Sequence, residues 1–213
     1  MLIRLRRSVL CLAVLALPAL GLAAEPSFDC AAAGSEVETA ICAEDGLAAL
    51  DRELARLYFL ALNDPDLDGE NRSTLEATQR GWIKGRDDCW KADAGLESCI
   101  AAEYALRIHE IREGSAAARS EDGASIGPTA WACDGDGLDA LLSITFVNTE
   151  PALVAIRWRE NALVLSQAVS ASGARYASET EPGGKALFWT QGDQALFAAP
   201  GGPELACAML ETG

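Results

Sequence analysis

Two strings in the second half of the chain gather side chains suited to contact. They are "SASGARY", residues 170–176, and "FWTQGDQALF", which begins at Phe188. The first offers two hydroxyls, a glycine, a cation and a phenol. The second offers an indole, two amides and a glycine. A simple hairpin between strands needs only Asn-Gly, so the extra residue types call for another explanation. Nucleophilic chemistry would require a base beside Ser172. The single histidine, His109, stands in a helical pattern just before Glu110, where a surface or partly packed role is the ordinary one. With 32 acidic residues, carboxylate pairs arise everywhere and none signifies an active site by itself. No catalytic residue, cofactor or enzyme activity is read from the chain.

Metal chemistry is equally thin. "DPDLDGEN", from Asp64, begins like a calcium loop, with Asp64, Asp66, Asp68 and then Gly69. The twelfth position, which should carry a bidentate glutamate, is Leu75. A solvated turn between helices is the better reading. "CDGDGLD", from Cys133, fails sooner, because Leu138 holds the fifth position of a loop that starts at Asp134. None of the cysteines forms a CxxC pair, and one histidine does not make a zinc site, so no metal is expected.

Residues 1–24 read as a secretory signal: Arg4, Arg6 and Arg7, an apolar run, and a close of small residues. Cys11 lies near the start of that run after Leu10, whereas a lipid-modified cysteine would end it after a small residue. The expected product is exported, periplasmic or secreted, with no stable membrane anchor. Residues 1–24 carry three arginines and no acid, so their removal takes the net charge from −15 to −18. That charge opposes nucleic acid. It suits solubility and salt-sensitive encounter with a basic partner. Six cysteines remain in the exported chain: Cys30, Cys42, Cys89, Cys99, Cys133 and Cys207. An even count in such a chain implies disulfides.

The elements that must position these residues fall in two domains. Residues 25–114 are helical by pattern, with Leu47, Leu50, Leu54, Leu57 and Ala61 on one face. A second helix is predicted over about 70–91, and a third carries Ile100, Tyr104, Ile108 and Ile111 on one stripe. Three such helices make a small antiparallel bundle with a thin core, which disulfides would supplement. The four cysteines here allow three pairings, and the sequence does not choose. Residues 115–128 are small, polar and aperiodic, as a linker is. Residues 129–213 change to short β-favouring runs such as "ALLSITFV", "ALVAIRWR" and "KALFWT". About eight strands without intervening helices suggest an antiparallel sandwich or small barrel. Cys133 and Cys207 stand in its first and last strands, where a bridge would tie the ends.

Composition alone would make Ser172-Gly173 a turn, Tyr176 a core residue and Trp189 a barrel filler. The motifs say more. Residues 129–213 resemble the MliC/PliC family of bacterial inhibitors of C-type lysozyme. The resemblance rests on Cys133, "SASGARY", "FWTQG" followed by Ala195, and Cys207. It implies an eight-stranded antiparallel β-barrel with a terminal-strand disulfide, and a loop that enters the lysozyme cleft. Carried over, Ser172 meets the catalytic carboxylates, Gly173 permits close backbone approach and Tyr176 braces the loop. Arg175, Gln191 and Gly192 complete the implied contact set. Family members usually place a lysine where this chain has Gln191, so a charge-assisted contact is lost here. Arg175 and Lys185 are the cations nearest in sequence that could replace it.

"PSFDCAAAGSEVETAICAEDGLAALDRELARLY", "QRGWIKGRDDC", "SCI" and "YALRI" resemble the LprI N-terminal family across residues 27–112. Gln79, Trp82, Arg86 and Asp87 fall on its Q-x-x-W-x-x-x-R-D string, and a structural role within the helical hairpin is the expectation for them. Together the resemblances imply an exported inhibitor of C-type lysozyme, acting by plugging the cleft. The alternative, favoured by Gln191, is a non-inhibitory envelope scaffold or interaction module.

Overall fold

Ser35 accepts a hydrogen bond from the Glu38 backbone N–H at 3.0 Å and so caps an eight-residue helix, α1 (Glu36–Ala43). This helix is too short to announce itself by periodicity. It lies in a computed structural model of the protein that describes residues 25–134, 141–179 and 183–211. The signal reading of residues 1–24, and most of "CDGDGLD", lie outside the described residues. After α1 come α2 (Asp45–Leu62), α3 (Gly69–Arg86), α4 (Leu96–Gly114) and the short α5 (Ala116–Arg119). The three long helices are the predicted ones, while α1 and α5 are additions. Asp68, in the acidic string, caps α3 by accepting from the Asn71 N–H at 2.8 Å, which gives that string a structural use.

The disulfides close as Cys30–Cys42, Cys89–Cys99 and Cys133–Cys207. The first two bridge residues close in sequence, pinning α1 to the segment before it and the end of the α3 region to the start of α4. Gln79, Trp82 and Arg86 serve the hairpin as expected. The Trp82 ring meets Tyr104 edge-on at 5.1 Å. Arg86 donates to the Tyr104 hydroxyl, which donates to Asp51, both at 2.8 Å. Asp87 accepts from Arg86 at 2.7 Å, so this buried guanidinium is paired on both sides. Gln79 accepts from Arg107 at 3.0 Å.

Eight strands then close into an antiparallel barrel in sequence order. They are β1 (Ser125–Asp134), β2 (Leu141–Val147), β3 (Leu153–Trp158), β4 (Asn161–Ala168), β5 (Ala174–Ser178), β6 (Ala186–Gln191), β7 (Gln194–Ala198) and β8 (Leu205–Met209). Cys133 pairs directly with Cys207 where β1 meets β8, so the disulfide sits on the seam that closes the barrel. Trp131, Ile144, Ile156, Phe188 and Phe197 fill the interior, as expected for a barrel of this size.

The segment 115–128, read as a linker, contains α5 and the start of β1 and is held on both sides. Glu53 of α2 accepts from the backbone N–H of Ser125 at 3.0 Å and from its hydroxyl. Arg112 of α4, almost wholly buried, donates to the Gly127 carbonyl at 2.6 Å. The helices and the barrel therefore pack as a unit. Val147, Leu153 and Ala155 turn their outer faces into the helical core, while Val154 and Ile156 face the barrel interior. Burial on both faces explains why the β3 region reads as a continuous apolar run. The helices thus cover the β2–β4 side, leaving the loops after β4 and β6 open.

Candidate functional site

The loop between β4 and β5, residues 169–173, and the two-residue turn between β6 and β7 lie side by side at one end of the barrel. Gln191 pairs with Gln194 across that turn, and Gly192, with φ +64°, takes its first position. A glycine-first turn of this kind matches the natural twist of paired strands. In the neighbouring loop Gly173 has φ +65°, a left-handed conformation that side chains resist. A Cβ on Gly173 would fall 1.9 Å from the carbonyl oxygen of Thr190. Glycine is therefore required where the loop backbone presses on β6.

Ser172 is held by its own backbone. Its carbonyl accepts from the indole N–H of Trp189 at 2.9 Å and from the hydroxyl of Ser170 at 2.6 Å. The side chain is exposed, and Gln191 Nε2 stands 3.4 Å from the hydroxyl oxygen, a loose contact. Ser172, Gly173, Gln191 and Gly192 are thus brought together, as the two motifs suggested. Val169, 98 % exposed, adds an apolar tip beside them. Arg175 is half-buried on β5, directly opposite Ala168 of β4 and Trp189 of β6.

Tyr176 points the other way. It is 3 % exposed and packs inside the barrel against Phe146, with ring centroids 5.8 Å apart. It supports β5 from below, and burial pushes its phenol pKa up. Trp189 does not fill the barrel. Phe188 does, and because neighbouring strand residues face opposite ways, Trp189 must lie outside. Lys185 is at the far end of the barrel and pairs with Glu179 at 2.5 Å, so it cannot stand in beside Gln191. Ser170, Trp189 and Val169 are the residues that motif reading undervalued. For Trp189 the alternation of "FW" was the available signal.

His109 is fully buried at the helix–barrel seam, with Nδ1 2.9 Å from the Thr145 hydroxyl, remote from the loop. Among the described residues no group of three His, Cys, Asp or Glu side chains is placed to hold a metal ion. What the loop offers is an exposed, uncharged hydroxyl and amide side by side.

Residues 131–205 match the family described as membrane-bound lysozyme-inhibitor of c-type lysozyme, and residues 29–130 match the family described as lysozyme inhibitor LprI. Each half of the chain matches a lysozyme-inhibitor family. The junction of the two matches falls inside β1, in keeping with the tight packing there. The chain is also 27 % identical over 154 residues to proteins named Lipoprotein LprI in Mycobacterium tuberculosis and Mycobacterium bovis, covering 72 % of this chain and 72 % of each relative. A stretch that long must run from the helices into the barrel. No solved structure matches the chain.

Proposed function

We propose that this chain is an exported inhibitor of C-type lysozyme that inserts the loop around Ser172 and Gly173 into the active-site cleft. The observation that carries this reading is the double anchoring of the Ser172 carbonyl by Trp189 and Ser170. It leaves the hydroxyl exposed on a preorganised backbone, so little ordering entropy is lost on binding. Lysozyme of this type keeps one carboxyl protonated and one ionised in its cleft. A hydroxyl can accept from the first or donate to the second. Gln191 can donate to either carboxyl but adds no charge. The acidic chain would be steered toward a basic enzyme.

Export without a lasting anchor belongs to the same proposal. Among the described residues no helix is long and apolar enough to cross a membrane, and Cys11 lies in the segment read as a signal. Cell fractionation tests this part, with the protein expected in the soluble extracytoplasmic fraction. The binding mode is tested by amide hydrogen exchange with and without a C-type lysozyme. Protection is expected at 169–173 and 190–194. Protection confined to the helices would remove the loop from the mechanism.

A further inference from the structure

The outer face of β6, β7 and β8 carries a groove of about 190 Å³. Strand register explains its shape. Phe188, Phe197 and Leu205 point into the barrel, so Trp189, Leu196 and Ala206 point outward. Trp189 is paired with Leu196, and Leu196 with Ala206, in one row across the three strands. Two large side chains beside a single methyl leave a hollow over β8. Gln191 and Gln194, the next outward pair, close it toward the β6–β7 turn. The groove is continuous with the loop of the proposed function. Trp189 lines it and also donates its indole N–H to the Ser172 carbonyl at 2.9 Å.

Size and charge define the occupant. Small-molecule sites run from about 300 Å³ upward, so this hollow suits one side chain of a larger partner. Asp134 lies directly opposite Ala206 across the β1–β8 pair, on the same outer face, and Asp193 precedes Gln194 in the turn. Both are exposed, and neither is in an ion pair among the described residues. An anionic guest would be repelled by both carboxylates and by a chain of net charge −15. A cation is attracted by the carboxylates and by an indole ring. Arg175 does not fill that place, since β5 puts it on the other side of Trp189 from Leu196. A long basic side chain can lay its apolar stem on Leu196 and Ala206 while its head stays in water. A guanidinium also brings several donors for the carboxylates and for the amide oxygens of Gln191 and Gln194. We propose, resting on the reading of a C-type lysozyme as partner, that this groove seats an arginine side chain of that enzyme beside the inserted loop. The charge pair that Gln191 cannot supply is then made with its sign reversed, the acid standing on the inhibitor.

The test is calorimetric titration of the oxidised chain from residue 25 into a C-type lysozyme at low and physiological salt. Ala206→Phe fills the groove from an exposed strand position and should weaken binding at least about tenfold. Asp134→Asn combined with Asp193→Asn keeps the shape of the groove and removes its charge. Binding should fall about two- to fivefold at low salt and less at physiological salt, so the salt dependence of the parent chain is reduced. Thermal midpoints verify the fold of each variant, and the asparagine pair decides the matter should Ala206→Phe fail to fold. Binding that Ser172→Tyr abolishes but neither groove variant changes would overturn the groove and leave the loop reading in place. Loss in Ala206→Phe with an unchanged salt dependence in the asparagine pair would overturn the arginine assignment, because the occupant would then be apolar. Binding kept by Ser172→Tyr but weakened in both groove variants would uphold the groove and remove the loop. No binding by the parent chain would overturn both.

Discussion

The indole N–H of Trp189 donates to the carbonyl oxygen of Ser172 at 2.9 Å, joining the second motif to the first. Residues 17 positions apart thereby tie the two motif loops together. Trp189→Phe keeps an aromatic on the outer face of β6 but removes the donor. Net hydrogen-bond contributions of about 1 kcal/mol correspond to roughly fivefold in affinity. Calorimetric titration with a C-type lysozyme should show a loss of that order or slightly more. The thermal midpoint should barely move, because Trp189 is only half-buried.

Gly173 and Gly192 provide a matched pair. Both have positive φ, but a Cβ at Gly192 meets nothing within 4 Å, whereas one at Gly173 strikes Thr190. Gly192→Ala therefore carries only the left-handed penalty of about 1–2 kcal/mol. Gly173→Ala must also displace the loop from β6. Lysozyme inhibition should fall much further for Gly173→Ala than for Gly192→Ala, and equal losses would remove Thr190 from the explanation.

Gln191 stands beside Ser172 without a charge to offer. Gln191→Lys should strengthen binding by a charge-assisted contact worth about 1.5–3 kcal/mol, roughly ten- to hundredfold. The gain should shrink as salt rises. Inhibition constants at low and physiological salt check both points.

Stability should decline in two stages as pH falls. Burial lowers the His109 pKa below its ordinary value, and Arg157 lowers it further, while Glu113 and Glu110 oppose the shift. The unfolded chain thus takes up a proton that the folded chain refuses. Stability present above about pH 6.5 is lost as pH drops below that ordinary histidine value. Glu53 acts lower down. Burial raises its pKa, but hydrogen bonds from Arg56 and Ser125 outweigh this and hold it below the ordinary range. Its contribution is present above the unfolded value near 4.5 and is lost as pH falls below it. Urea midpoints should fall from pH 7.5 to 5.5 for the parent chain and far less for His109→Gln.

The strands and long helices were legible because their periods, 2 and 3.6, survive in the sequence. The β1–β8 closure was legible through Cys133 and Cys207. What could not be read was the packing of helices on barrel. It depends on Glu53 meeting Ser125, Arg112 meeting Gly127 and His109 meeting Thr145, contacts between residues whose spacing carries no period. The same limit applied to α1, whose eight residues show one cap and little pattern, and hence to the Cys30–Cys42 pairing. Within the site, Ser172 and Gly173 were visible as a motif. The anchoring of the Ser172 carbonyl was not, since it is a tertiary contact made by a tryptophan assigned to the core on hydrophobicity.

The central claim is most directly tested by titrating the oxidised chain from residue 25 into a C-type lysozyme lysing a cell suspension, alongside Ser172→Tyr. Stoichiometric inhibition by the parent chain is predicted, weaker at physiological than at low salt, with loss of inhibition by the variant at an unchanged thermal midpoint. Absence of inhibition at micromolar excess of the folded parent chain, or full inhibition by Ser172→Tyr, would contradict the account.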